Sequence, residues 1–209
     1  MLPFRRGAPS REPLTLPLFP LKTVLFPGGL LPLKVFEQRY IDMTKRCIQD
    51  DKPFGVCLLT RGEEVARRGA SDTPEFSLVG TLAKITSWDM PQLGILQLRT
   101  EGGTRFQVQS HRTADDGLFL AQATTILPEP RVPLPDMHRP LADLLELMIN
   151  RVGRENFAGE ALDDASWVGY RLAELLPLPA NIKQGMLEIN DSEVRLKAIA
   201  QFLKQQDLL

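Results

Sequence analysis

The chain has 209 residues, 43% hydrophobic and 24% charged, enough to bury a sizeable core and too apolar for a disordered polymer. Its 25 Lys and Arg against 26 Asp and Glu leave a net charge of −1, which argues against a nucleic-acid binder working through a broad basic surface. Two Cys and two His exclude a disulfide framework and are too few for a typical structural zinc site.

The first residues, Met1 to Glu12, carry Arg5 and Arg6 but no apolar run of signal-peptide length, and prolines at 13, 17 and 20 interrupt the next stretch. No apolar window of about 18 residues occurs, so no membrane span is expected. A cytoplasmic protein with reduced thiols at Cys47 and Cys57 is the simplest reading.

Seven of the 17 prolines lie within residues 1–35. Pro17, Pro20, Pro27 and Pro32 hold the opening extended and limit its pairing to sheet edges. Phe26-Pro27-Gly28-Gly29 is a turn signal. From Val35 to Gln49, Phe36, Tyr40, Met43 and Cys47 recur at helical spacing, which predicts a helix stopped by Asp50-Asp51-Lys52-Pro53. Phe36 and Tyr40 are expected to anchor it, and Arg39 and Arg105 to pair with carboxylates.

Strands are expected at Phe54–Thr60, Phe76–Trp88, Leu93–Thr100, Thr104–Ser110 and Leu118–Ile126, with turns at Gly102-Gly103 and Asp115-Asp116-Gly117. Their spacing suggests a sandwich or small barrel. His111 reads as an exposed turn residue. Ser87-Trp88-Asp89-Met90-Pro91-Gln92-Leu93-Gly94 falls where two strands reverse. Such a tip is normally polar, yet this one offers Trp88, Met90, Pro91 and Leu93. It is a candidate contact site for an apolar peptide segment or a second copy of the chain. The alternative is a tip folded onto the helices and buried.

Five prolines between Pro128 and Pro140 mark an extended linker. The division expected is a β-rich part over 10–127, a linker over 128–139 and a helical bundle over 140–209. His138, in the linker, is expected to be solvated. Four helices come next: one on Leu141, Leu144, Leu145 and Met148; one on Leu162, Ala165, Val168 and Leu172, ended by Pro177; one led by Pro179 with Ile182, Met186 and Leu187; and one on Val194, Ile199, Phe202 and Leu203. Asn190 with Glu193 resembles a capping box for the last.

Catalytic motifs are missing. There is no G-x-x-x-x-G-K-[ST], no G-x-S-x-G and no H-E-x-x-H. Cys47 and Cys57 sit in apolar settings where a thiol stays protonated and inert. The pairs Glu63-Glu64, Asp115-Asp116 and Asp163-Asp164 read as solvated turns or helix starts. No catalytic residue, metal or cofactor is expected.

The run from Leu16-Pro17-Leu18-Phe19-Pro20 through Phe26-Pro27-Gly28-Gly29 to Val35-Phe36-Glu37-Gln38-Arg39-Tyr40 resembles the opening of the Lon protease N-terminal domain. Val79-Gly80-Thr81-Leu82-Ala83-Lys84-Ile85, Gly102-Gly103-Thr104-Arg105-Phe106-Gln107-Val108 and the closing stretch from Leu176-Pro177 to Arg195-Leu196 agree with it. The resemblance covers residues 14–205. It implies an α+β fold, a PUA-like β pseudo-barrel containing one helix followed by a helical bundle. It also implies a bacterial recognition module for unfolded or extended polypeptides, linked to protein turnover. The ATPase and peptidase regions of the protease have no counterpart in these 209 residues. The reading is therefore of a stand-alone, non-catalytic module, with a separate protease or a second copy of the chain as further partners. PUA-like folds also occur in RNA-binding proteins, and Arg61, Arg67 and Arg68 would supply a local patch for that alternative. An enzyme with an unrecognised small-molecule site is the third reading.

Overall fold

The computed structural model describes residues 13–64, 74–157 and 159–206. Arg67, Arg68 and the first twelve residues lie outside the described residues. The elements run β1 (Leu14–Leu21), β2 (Leu30–Val35), α1 (Gln38–Asp50), β3 (Phe54–Arg61), β4 (Glu75–Gln92), β5 (Ile95–Thr113) and β6 (Phe119–Thr125). Four further helices complete the chain: α2 (Arg139–Val152), α3 (Ala165–Leu175), α4 (Ala180–Glu188) and α5 (Ser192–Gln205). The architecture is the expected α+β arrangement, a β pseudo-barrel with one helix and then a helical bundle.

The strand order is β2-β5-β4-β3-β1-β6, and β6 pairs back onto β5, which closes β5, β4, β3, β1 and β6 into a barrel. Every pairing is antiparallel except β1 with β3. The first half of β5 and the second half of β4 run on past this closure. With β2 paired to β5 they form a three-stranded arm.

Two sequence expectations change here. β1 is not an edge strand: it lies between β3 and β6 despite Pro17 and Pro20. Successive N–H groups of a strand point to opposite neighbours, and these prolines are three residues apart. Each neighbour therefore loses at most one donor. Nor do Gly102 and Gly103 reverse the chain, because β5 runs through them unbroken. Gly102 makes room for the turn at Phe26–Gly29, in which Gly29 N–H donates to Phe26 O at 2.9 Å and Gly28 takes φ +69°. Gly28 N–H donates to Gly102 O at 2.6 Å, and Gly102 N–H to Gly29 O at 2.8 Å.

Tyr40 holds α1 on the barrel by stacking on Phe19, centroids 4.0 Å apart. Phe36 plays no part in this anchoring, since it precedes the helix and is 51% exposed. Cys47 and Cys57 are free and buried, and burial pushes their thiols up to about 11 and about 12.

Leu141, Leu145 and Ile149 of α2 meet Val168 and Leu172 of α3 and Leu196, Ile199 and Leu203 of α5. Val24, Phe26 and Leu58, contributed from the β-rich part, complete the same cluster. Val194, expected inward, is half exposed, and Arg195 occupies the buried stripe in its place. Asp191 rather than Asn190 caps α5, its Oδ1 accepting from Glu193 N–H at 2.8 Å and Val194 N–H at 3.0 Å. His138 is buried in the turn before α2 rather than solvated, and burial lowers its pKa. His111 remains exposed but lies within β5, its ring 4.9 Å from that of Phe76.

A methyl group on Gly102 would sit 2.1 Å from Phe26 O, and neither backbone is free to yield. Gly102→Ala is expected to lower stability by about 1–3 kcal/mol, read as the urea midpoint, without changing the far-ultraviolet spectrum.

Candidate functional site

The arm ends in a two-residue reversal. Gln92 pairs with Ile95, and Leu93 and Gly94 form the tip, Gly94 taking φ +81°. Leu93 is 94% exposed and Trp88 54%, with Met90 and Pro91 exposed beside them. The tip stays clear of the helical bundle, so the buried alternative drops out. All four residues singled out by sequence fall on one projecting hairpin.

Below the tip the arm is shaped into a trough of about 520 Å³. It is lined by Pro32 and Lys34 from β2, Gln97 and Arg99 from β5, and Trp88 and Asp89 from β4. Register explains the grouping: Lys34, Gln97 and Asp89 form one cross-strand row, and Pro32, Arg99 and Ser87 the next. The opposite side of the same strands carries Leu31, Leu33, Leu96 and Leu98, packed into the barrel core.

A second cleft of about 430 Å³ opens where barrel and bundle meet. Its walls include Pro27, Glu101, Gly103, Pro128, Trp167 and Tyr170. Beneath it lies a charge network that sequence reasoning missed. Glu129, within the proline-rich segment, has a side chain only 3% exposed. Its Oε1 accepts from Tyr170 Oη–H at 2.6 Å and from Arg195 Nη2, and its Oε2 accepts from Ser166 Oγ–H at 2.8 Å and Arg195 Nη1 at 2.9 Å. Arg105 completes the ion-pair set at 3.5 Å from Oε1 and donates to Leu187 O at 2.6 Å. Burial opposes ionisation of Glu129, but the hydrogen bonds from Arg195, Tyr170 and Ser166 outweigh it and hold the carboxyl below its ordinary range. A signal was present in the sequence: Arg195 stands at a position that the stripe of α5 assigns to an apolar residue, which calls for a buried partner.

Other sequence candidates serve the scaffold. Asp164 caps α3 by accepting from Ser166 N–H at 2.8 Å and Trp167 N–H at 3.0 Å, while Asp163 pairs with Arg131 at 3.2 Å. Asp116 accepts from Leu118 N–H in its turn. Glu63 pairs with Lys22, and Glu64 accepts from the Lys22 backbone. Arg39 meets Glu37 at 3.0 Å and donates to Gly117 O at 2.9 Å. Among the described residues, no three His, Cys, Asp or Glu side chains gather as a metal site, and no helix is long and apolar enough to cross a membrane.

The fold is thus a β pseudo-barrel joined to a helical bundle, with one exposed apolar hairpin tip. The family model described as the ATP-dependent protease La (LON) substrate-binding domain matches residues 15–205, and the chain belongs to that family. It is a Lon-type substrate-binding module. A Lon protease from Anaeromyxobacter dehalogenans is 27% identical over 208 residues, covering 93% of this chain and 23% of that protein. Protein cereblon from Danio rerio is 32% identical over 124 residues, 57% of this chain and 27% of that protein. The crystal structure of a Lon N-terminal domain protein from Xanthomonas campestris matches with a TM-score of 0.74 and 36% identity, covering 90% of this chain and 98% of that one. The chain thus spans about a quarter of the length of the Lon protease it matches.

Glu129→Gln leaves two buried guanidinium groups without their carboxylate, and a loss of about 3–5 kcal/mol in urea unfolding is expected. Because the folded pKa lies below the unfolded one, this stabilisation is complete above the unfolded value. It is lost as pH falls through the unfolded value and then the folded one. The difference between wild type and variant should therefore shrink at acid pH.

Proposed function

We propose that the module captures unfolded or extended polypeptide segments by apolar contact at Trp88, Met90, Pro91 and Leu93, and cleaves nothing itself. It serves protein turnover in the bacterial cytoplasm, with bond breaking left to a separate protease. The observation that carries this reading is the exposure of those four side chains at the end of a hairpin anchored in the barrel. A folded protein rarely leaves a tryptophan, a methionine and a leucine together on a loop tip unless they meet a partner. Each large side chain covered by a client contributes about 1.5–3 kcal/mol. Ordering the client costs about 2–5 kcal/mol, so affinity per segment is modest and exchange is fast. That suits a module that must sample many chains and release correctly folded ones.

Met90→Asp combined with Leu93→Asp is expected to weaken capture of a urea-denatured model protein by about tenfold or more, measured by pull-down and by anisotropy. The melting temperature should stay unchanged, because both side chains already face solvent. Equal capture by a folded double variant removes the reading.

A further inference from the structure

β4 changes neighbours along its length. Its first part lies between β3 and β5, but pairing with β3 ends at Ala83, opposite Phe54. The residue before Phe54 is Pro53, which has no N–H to continue the ladder. From Lys84 onward β4 therefore forms one edge of the arm. Among the described residues, no other strand pairs with residues 84–89 and no loop backbone hydrogen-bonds to them. All of them are exposed except Ile85, which is half-buried. The run of free donors stops just beyond, where Met90 N–H donates to Asp89 Oδ1 at 2.8 Å and Pro91 has no N–H. The other edge of the arm, β2, carries Pro32, a usual guard against an added strand.

The large side chains of this open edge share one side of the sheet. Register sets Ile85 opposite Thr100 and Trp88 opposite Leu98, and Thr100 and Leu98 are alternate residues on the buried face of β5. Ile85 and Trp88 are three positions apart, yet the bulge between Ile85 and Ser87 brings both to that face. Met90, two residues beyond Trp88, follows it. Trp88 is still 54% exposed because the sheet stops beside it.

We propose that an extended polypeptide segment of about six residues adds to this edge of β4 as a further β-strand. The proposal rests on the peptide-capture reading above and deepens it by giving the main-chain mode of binding. The occupant follows from backbone chemistry rather than from charge. N–H and C=O groups exposed at strand spacing are matched in kind by another strand. Residues 84–89 span about 20 Å at strand rise, the length of an ordinary strand. Main-chain bonds read no sequence, so the only selection falls on client side chains that land beside Ile85, Trp88 and Met90. The bulge adds twist to this margin. A flexible chain follows that twist as it orders, whereas the preformed edge of a folded partner has to match it.

The test labels the whole chain with nitrogen-15 and follows amide exchange residue by residue during titration with a peptide of alternating Leu and Ser, about ten residues long. The peptide is expected to slow exchange at alternate amides of residues 84–89, those that point away from β5, by at least about tenfold, and to leave the amides of β2 unchanged. Esters in place of the central amides of the peptide keep every side chain but remove N–H donors. This change should weaken binding by about tenfold or more. Equal affinity of the ester peptide, binding without protection along residues 84–89, or protection at β2 instead each overturn the added strand and leave apolar capture at the tip standing. Protection of residues 84–89 that rises with protein concentration before any peptide is added assigns the edge to a second copy of the chain and overturns it as well. No binding of the all-amide peptide sinks both proposals.

Discussion

A single buried carboxylate joins the pieces of this molecule. Glu129 belongs to neither the barrel nor the bundle, yet it meets Arg105 of β5, Tyr170 and Ser166 of α3 and Arg195 of α5. One anion against two guanidinium groups leaves an excess positive charge in a dry interior. The end of α4 absorbs it. Arg195 donates to Met186 O at 2.9 Å and Arg105 to Leu187 O at 2.6 Å, and both reach Ile189 O. These are the carbonyls that a helix leaves unpaired at its negative end. Arg195 also lies over the Tyr170 ring, 3.9 Å from its centroid. Arg105 Nη2 is buried without a hydrogen bond and meets the carboxylate only as an ion pair at 3.5 Å, while Arg195, Tyr170 and Ser166 all hydrogen-bond to it, and that compensation is what allows a buried ion set to persist.

A second clamp works beside the first. Arg171 of α3 donates to Pro27 O at 2.8 Å and Gly28 O at 2.7 Å, tying the opening turn to the bundle, while Glu174 balances it at 3.1 Å. The turn in turn grips Gly102 in the middle of β5. The long strand is thereby held at its centre by backbone hydrogen bonds and on one side by buried arginines. Its far half is free to project as an arm. Rigidity at the junction and exposure at the tip are two consequences of one arrangement: apolar groups can stay in water at Leu93 because stability is secured elsewhere.

Much of this was legible in the residues. The helical stripe of α1, the four helices of the bundle, and the apolar hairpin tip at Trp88–Leu93 follow from periodicity and from a loop that is too greasy. The match to the Lon substrate-binding family follows from ordered motifs spread over nearly the whole chain. The expectations that failed did so for identifiable reasons. Gly102-Gly103 looks like a turn because glycine permits one, but here it permits another backbone to approach. Prolines in β1 look like edge markers, but a strand can spare one donor on each side. Phe36 and Val194 look inward by type and spacing, and His138 looks solvated by its neighbours in sequence.

The sequence by itself settled the classes of element, the family and the residues of the tip, because those depend on local periodicity and on side-chain chemistry along the chain. Only the tertiary structure decided that Glu129, Arg105, Tyr170 and Arg195 form one buried set, since the hydrogen bonds of Glu129 to Tyr170 and Arg195 alone cross 41 and 66 residues of chain. It alone decided that the turn at Phe26–Gly29 meets Gly102 in the middle of β5. Both are matters of which distant surfaces meet. That is set by packing and charge compensation in three dimensions rather than by any pattern a short window of residues can carry.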